Sequence, residues 1–406
     1  MGYKNEAIKG ISWIGLLSFA TKTIGFFEAI ILARILLPSQ FGAYGVALLA
    51  LGLLEVLTES GVNIILVQEK DIDSFIDSAW VVSILRGGLI MLIILFFASY
   101  IASFFHSSES LNLLYLISLV PLFRGFINPS VVKLQKDLKF GKDFWYKFTI
   151  LCIDTAVSIT VTFLTKNPIG IGIGLLSGVL VEIILSFVFI SPKPRFKIEN
   201  KYIRTIINRG KWITASSIFD YLFYNTDNIA VGRILGSQSL GIYQLGYSLA
   251  ANPINEVGKV FVHVTSPILI KISDDKMRLK SAFFKNILSI AILTLPFAFI
   301  FALAPQLFVL ILGEKWRAIT TVLPILAVVG FVKSVSLAST ALFISTKNQK
   351  YTTLITLVNI LGLSISIVPL IINYGIFGAG MSALFGSLCA IPFIIYYTHK
   401  ALFINT

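Results

Sequence analysis

The stretch IDSAWVVSILRGGLIMLIILFFASYIASF, residues 76–104, decides the fold. Its only charged side chains are Asp77 and Arg86. A helix rising 1.5 Å per residue crosses roughly 30 Å of hydrocarbon in about 20 such residues. Helix is the required choice, because backbone N–H and C=O groups find no partners in lipid. The pattern recurs along the 406 residues. It predicts about twelve spans, at 10–36, 41–66, 76–104, 111–131, 145–165, 168–190, 211–235, 239–269, 281–304, 319–345, 351–373 and 376–398. Alternating ten-residue strands of a barrel do not occur. The expected fold class is all-α integral membrane, with no length left for a soluble catalytic domain.

Composition agrees. Hydrophobic residues make up 56% of the chain and charged residues 13%, against roughly 25% charged in soluble domains. Mean hydropathy is +0.87. A cytosolic enzyme, a secreted disulfide scaffold and a nucleic-acid-binding domain are excluded, although the net charge is +13. Cys152 and Cys389 both lie in apolar runs, so neither a disulfide framework nor a Cys-rich metal site is available. With the N-terminus placed inside, 23 basic residues fall in inner segments, including Lys4, Lys9, Lys70 and the clusters at 133–147 and 193–211. Only Lys166, Lys315 and Arg317 fall outside. That bias predicts a cell (plasma or inner) membrane protein with both termini cytoplasmic. The cations then lie beside anionic lipid, and no nucleic acid partner is expected. The first apolar stretch, interrupted by Lys22 and Glu28 and lacking a small-residue cleavage site, is expected to be retained.

The chain is expected to form two six-helix lobes, 1–190 and 211–406, joined by a basic linker at 191–210. Residues 200–209 of that linker alternate apolar and cationic positions as an interfacial helix would. A shift of 199 residues superposes Trp13-Ile14 on Trp212-Ile213, Ser18 on Ser217 and Glu28 on Asp227. It also places Arg34-Ile35-Leu36 on Arg233-Ile234-Leu235, Gly42 on Gly241 and Tyr44 on Tyr243. Six spans is an even number, so the repeats point the same way, and transporters place substrate sites between such halves.

Lys22, Arg86, Arg124 and Lys333 each lie some 11–14 residues into a span. A central Arg or Lys costs roughly 2.5–3.5 kcal/mol on insertion scales. These four are the expected substrate-binding residues of a central, net-positive chamber that takes an anionic group, chiefly on the first lobe. Ser18, Thr21, Lys22, Gly25 and Glu28 share one face of the first helix. Ser217, Asp220, Tyr221, Tyr224 and Asp227 share the matching face of the seventh. Glu28, Asp220, Asp227 and Glu256 are the expected ion-coupling or charge-balancing acids, with Glu55, Asp154 and Glu182 also inside spans. The competing reading is that these charges form internal pairs holding helices together. His106, His263 and His399 lie far apart in sequence, near span ends, and no phosphate-binding, hydrolase or zinc-protease motif occurs. No metal, cofactor or catalytic group is expected.

Six stretches carry a resemblance: KGISW (9–13), LARILLPSQFGAYG (32–45), TESGVNIILVQ (58–68), SAWVVSILRG (78–87), GRILGSQSLGIYQLGYSLAANPINEVGKV (232–260) and GEKW (313–316). The chain resembles the polysaccharide-transporter branch of the multidrug/oligosaccharidyl-lipid/polysaccharide exporter superfamily, the flippases of lipid-linked oligosaccharides. The resemblance implies two pseudo-symmetric lobes around a central cavity with alternating access. The implied substrate is a polyprenyl-(di)phosphate-linked glycan moved outward for O-antigen-type polysaccharide synthesis. Cationic cavity residues would hold its phosphate, and Arg86 falls within SAWVVSILRG. Implied partners are membrane lipids and the glycan polymerase or glycosyltransferases of the pathway. The two extra C-terminal helices of some relatives are not expected. Two alternatives stay open. A cation-coupled multidrug antiporter of the same superfamily would use Glu28, Glu55, Asp220, Asp227 and Glu256. An integral glycan polymerase would need a large outer loop, and the longest outer segment, 305–318, is short and largely apolar.

Overall fold

The computed structural model describes residues 3–58, 61–69 and 71–403, without the side chains at 3–9, 11, 200, 207, 211–213, 215, 216 and 223. Lys4, Lys9, Lys70, Lys211 and the Trp212–Ile213 match of the repeat therefore lie outside what is described. Every regular element among the described residues is helical. Twelve long helices follow in order: α1 Tyr3–Ile35, α2 Pro38–Leu57, α3 Asp73–Phe104, α4 Ser110–Gly125, α5 Phe140–Thr165, α6 Ile169–Phe189, α7 200–235, α8 237–271, α9 Lys276–Leu303, α10 Ile319–Ser345, α11 349–374 and α12 376–403. The chain is an all-helical membrane protein. Large apolar side chains stand exposed along these helices, among them Phe96 at 82% and Leu164 at 74%, a surface suited to lipid and not to water.

Two of the boundaries depend on backbone geometry. No loop separates α7 from α8 or α11 from α12. Each pair bends at one glycine, Gly236 at φ 81° and Gly375 at φ 59°, a region that side chains with a Cβ rarely occupy. Gly236 falls 199 residues after Leu37, the N-cap residue of α2 in the gap after α1, so the repeat extends to the position of the first break. The second half differs by a π-helical turn at Tyr247–Ala251 within α8.

Three expectations are corrected. The second span does not run from 41 to 66: α2 stops at Leu57, and a separate helix, Val62–Gln68, starts after Gly61 in a left-handed conformation. The fourth helix does not reach 131: it ends at Gly125, and the chain turns by 69° into 129–136 where Asn128 and Pro129 open a new turn. The seventh helix does not start at 211: α7 begins at residue 200 and takes in the linker segment 200–209 without a break.

By their contacts, residues up to Asn225 form one compact unit and those from Thr226 a second, so the division falls within α7. In the first unit α1 lies against α5, with Trp13 and Phe144 rings 5.1 Å apart. Helices α5 and α6 meet along small residues: a Cβ on Gly174 would stand 2.6 Å from Ser158 Cβ, and one on Gly178 3.0 Å from Asp154 Cβ. Lipid offers no hydrophobic drive between helices, so such close backbone approach supplies the packing. Helices α3 and α4 cross through a reciprocal pair. A Cβ on Gly87 would meet the Pro121 carbonyl oxygen at 2.1 Å, and one on Gly125 would meet Ile84 Cα at 2.7 Å. In the second unit α8, α9 and α10 enclose Leu269, Leu279, Phe283, Ile290, Ala338, Ala341 and Leu342, and Leu402 of α12 joins them.

Gly87→Leu should force α3 and α4 apart and lower stability in detergent by about 1–3 kcal/mol, the usual range for overpacking. The neighbouring Gly88, whose nearest outside atom would be 4.0 Å from a new Cβ, serves as control. Gly88→Leu should leave the thermal midpoint nearly unchanged.

Candidate functional site

The crossing of α3 and α4 sets the first cluster. Arg86 immediately precedes Gly87 and Arg124 immediately precedes Gly125, so the two glycines that let the helices touch also bring both guanidiniums to one place. That place is the C-terminal end of α2. The last carbonyls of a helix have no intrahelical partners, and they carry partial negative charge. Arg86 Nη2 donates to the Glu55 carbonyl oxygen at 2.6 Å, and its Nε donates to Thr58 Oγ1 at 3.2 Å. Thr58 in turn donates to the Leu54 carbonyl at 2.7 Å. Arg124 Nη1 donates to Glu55 Oε1 at 2.7 Å. The Arg124 side chain keeps 43% of its surface exposed although α4 is otherwise apolar.

A second group adjoins it. Thr155 Oγ1 on α5 donates to Glu28 Oε2 on α1 at 3.1 Å. Asp154, backed by Gly178, lies within electrostatic reach of Glu28 and Arg124, and half-buried Tyr44 is acted on by all three. Glu182 feels Arg124 and Lys147, and its backbone carbonyl accepts from the Tyr146 hydroxyl at 3.3 Å. Glu55, Asp154 and Glu182 therefore all act on Arg124. Counter-charge of this kind is what lets a cation persist in apolar surroundings.

In the second unit Asp227 is the buried acid, 5% exposed. Its Oδ2 accepts from the Tyr243 hydroxyl at 3.0 Å, and its Oδ1 accepts from the Asn228 backbone N–H at 2.8 Å. Lys333 on α10 acts on the Asp227 charge, and its Nζ stands 5.7 Å from the centre of the Tyr247 ring. Tyr247 opens the π-helical turn, a feature frequent at functional sites. The repeat thus survives as tertiary chemistry. Glu28 and Asp227, and Tyr44 and Tyr243, are related by the 199-residue shift, and both acid–tyrosine pairs are electrostatically coupled.

The expected residues divide accordingly. Arg86 and Arg124 converge on Glu55. Lys333 joins Asp227, in a unit other than theirs. Lys22 and Asp220 stand on exposed faces of α1 and α7. Glu256 is bound within its own helix by Lys259 at 2.7 Å. Sequence reasoning missed Thr58, Thr155 and Tyr247 as members of these clusters. It had no signal for Thr58, whose role follows from the unforeseen end of α2. Among the described residues no group of three or more His, Cys, Asp or Glu side chains could hold a metal ion.

Comparison with known proteins adds the family. The profile described as polysaccharide biosynthesis protein matches residues 31–321. The chain is 28% identical over 357 residues to a membrane protein encoded in the cps region of Klebsiella pneumoniae, covering 83% of this chain and 70% of that one. It is 25% identical over 346 residues to the lipopolysaccharide biosynthesis protein WzxC of Escherichia coli strain K12, covering 82% and 69%. Among solved structures, the lipid II flippase MurJ in an inward closed conformation superposes with a TM-score of 0.76 at 18% identity, over 97% of this chain and 89% of that one. At that identity the likeness establishes the fold, and it agrees with the helix order described above. With the profile spanning most of its length, the chain belongs to the polysaccharide biosynthesis protein family of membrane proteins.

Proposed function

We propose that this protein is a flippase. It carries a polyprenyl-(di)phosphate-linked oligosaccharide from the cytoplasmic to the outer leaflet of the cell membrane by alternating access, and it catalyses no covalent step. Glycosyltransferases would supply the substrate and a polymerase would consume the product. The relatives' names, which speak of polysaccharide and lipopolysaccharide biosynthesis, and the fold shared with a lipid II flippase support the class.

One observation carries the mechanism: an arginine inside an apolar helix, paired with the Glu55 carboxylate and nearly half exposed. A phosphorylated head group cannot cross hydrocarbon without a fixed cation, and guanidinium matches phosphate oxygens bidentately. The phosphate takes the place of Glu55 on Arg124. Arg86 keeps the α2 end in position during that exchange, and Lys22 offers a further cation. Glu28 in one unit, and Asp227 with Lys333 in the other, serve ion coupling, with Asp220 and Glu256 as more peripheral acids. Lys333 thereby moves from the phosphate-binding set to the coupling set. The carboxylates that offset the arginines also suit a cation-coupled drug antiporter, and drug susceptibility of a deletion strain separates the two readings.

Replacing Arg86 and Arg124 together by Gln should reduce surface polysaccharide by at least about tenfold, the scale of a lost charge-assisted contact. Immunoblotting should find the variant still in the membrane, and Arg124→Lys should retain part of the export. Undiminished export by the double variant would remove the site assignment. Lys333→Met should destabilise by about 3 kcal/mol, because it strands a buried carboxylate. Adding Asp227→Asn should restore part of that loss in a thermal-shift double-mutant cycle. For the orientation, single cysteines at Lys139 and Lys315 should react with a membrane-impermeant maleimide from opposite sides, Lys315 from outside.

A further inference from the structure

The start of α7 presents a groove of about 440 Å3 lined by Lys201, Arg204, Thr205 and Asn208. The spacing i, i+3, i+4, i+7 places all four on one helical face. The rotation of the helix is fixed from behind. Ile206 is buried with Val62, Ile65, Leu66, Phe75 and Ile76, and the Tyr202 ring lies 4.4 Å from that of Phe75. Lys201 and Arg204 are therefore held facing outward.

Their charge is not matched locally. Neighbouring cations have partners: Lys197 pairs with Glu199, Arg209 with Glu69 and Lys133 with Asp73. Among the described residues no ion pair reaches Lys201 or Arg204. A few residues earlier in the chain the linker holds apolar side chains outward, Phe196 at 72% and Ile198 at 62% exposure, with Phe196 packed against Trp80 at 4.6 Å. Cations next to exposed aromatic and aliphatic side chains, at the mouth of a membrane helix, form an interfacial surface.

We propose that this groove binds the phosphate head group of an anionic phospholipid on the side of the membrane where the basic loops lie. The two cations and the Thr205 hydroxyl meet the phosphate, and Phe196 and Ile198 lie along the acyl chains. A water-soluble phosphate would meet the same cations but has no use for the apolar flank, which commits the site to lipid. The groove shares no residue with the arginine cluster at the end of α2 and does not depend on what the protein transports.

Fluorescent phosphatidylglycerol titrated into the purified full chain in neutral detergent tests this, with phosphatidylcholine as the uncharged comparison. The double variant K201Q/R204Q should bind phosphatidylglycerol roughly tenfold or more weakly, since each basic residue near an anionic surface has a sizeable effect. K139Q, which removes an exposed lysine paired with Asp137, should bind as the wild type does, as should the charge-preserving K201R. Equal binding by wild type and double variant overturns the proposal, as does an equal loss in K139Q or K201R. Displacement of the lipid by inorganic phosphate at matching concentration also overturns it, by assigning the groove to a soluble anion.

Discussion

A charge inside an apolar helix must find a partner, and the crossing of α3 and α4 is where this protein meets that demand. Gly87 and Gly125 remove the Cβ atoms that would hold the helices apart, and each follows an arginine. Packing and electrostatics are therefore one arrangement. The backbone approach places two guanidiniums on the end of α2, and α2 ends there with carbonyls that need donors. A continuous second span would have left Arg86 with no such acceptor. The end of α2 and the half-buried position of Arg86 explain each other.

The second unit answers the same demand with different groups. Its acid is Asp227, seated on its own helix and held by Tyr243, with Lys333 arriving from the fourth helix of that half. Arg124 also comes from a fourth helix and meets an acid. The two units thus repeat a plan, a cation of the fourth helix set against an acid of the first or second, and of these two cations Arg124 is the more exposed. The π-helical turn beside Tyr247 has no counterpart in α2. This asymmetry fits one unit that engages an anion and another that responds to it.

Charge balance refines the proposed flippase role. A chamber lined by unopposed cations would hold a diphosphate too firmly to release it and would be costly to keep empty. Cations paired with carboxylates can exchange one anion for another. In the proposed exchange, phosphate replacing Glu55 on Arg124 would cost little net charge and would leave a carboxylate able to take up a cation.

Much was legible in the sequence because lipid imposes simple rules. Apolar runs of sufficient length gave the helices, and Gly236 and Gly375 fall in the gaps predicted between spans. The 199-residue repeat anticipated that Glu28 and Tyr44 would correspond to Asp227 and Tyr243. Arg86 and Arg124 were identified as intramembrane cations from their depth alone. Depth says nothing about direction, however, and partners depend on which way each helix is rotated and where its neighbour stops. The end of α2 at Leu57, the convergence of both arginines on Glu55 and the approach of Lys333 to Asp227 are set by contacts between helices distant in sequence. Hydropathy, a property of each segment by itself, fixes that a helix crosses the membrane. Only packing between segments decides which charges meet.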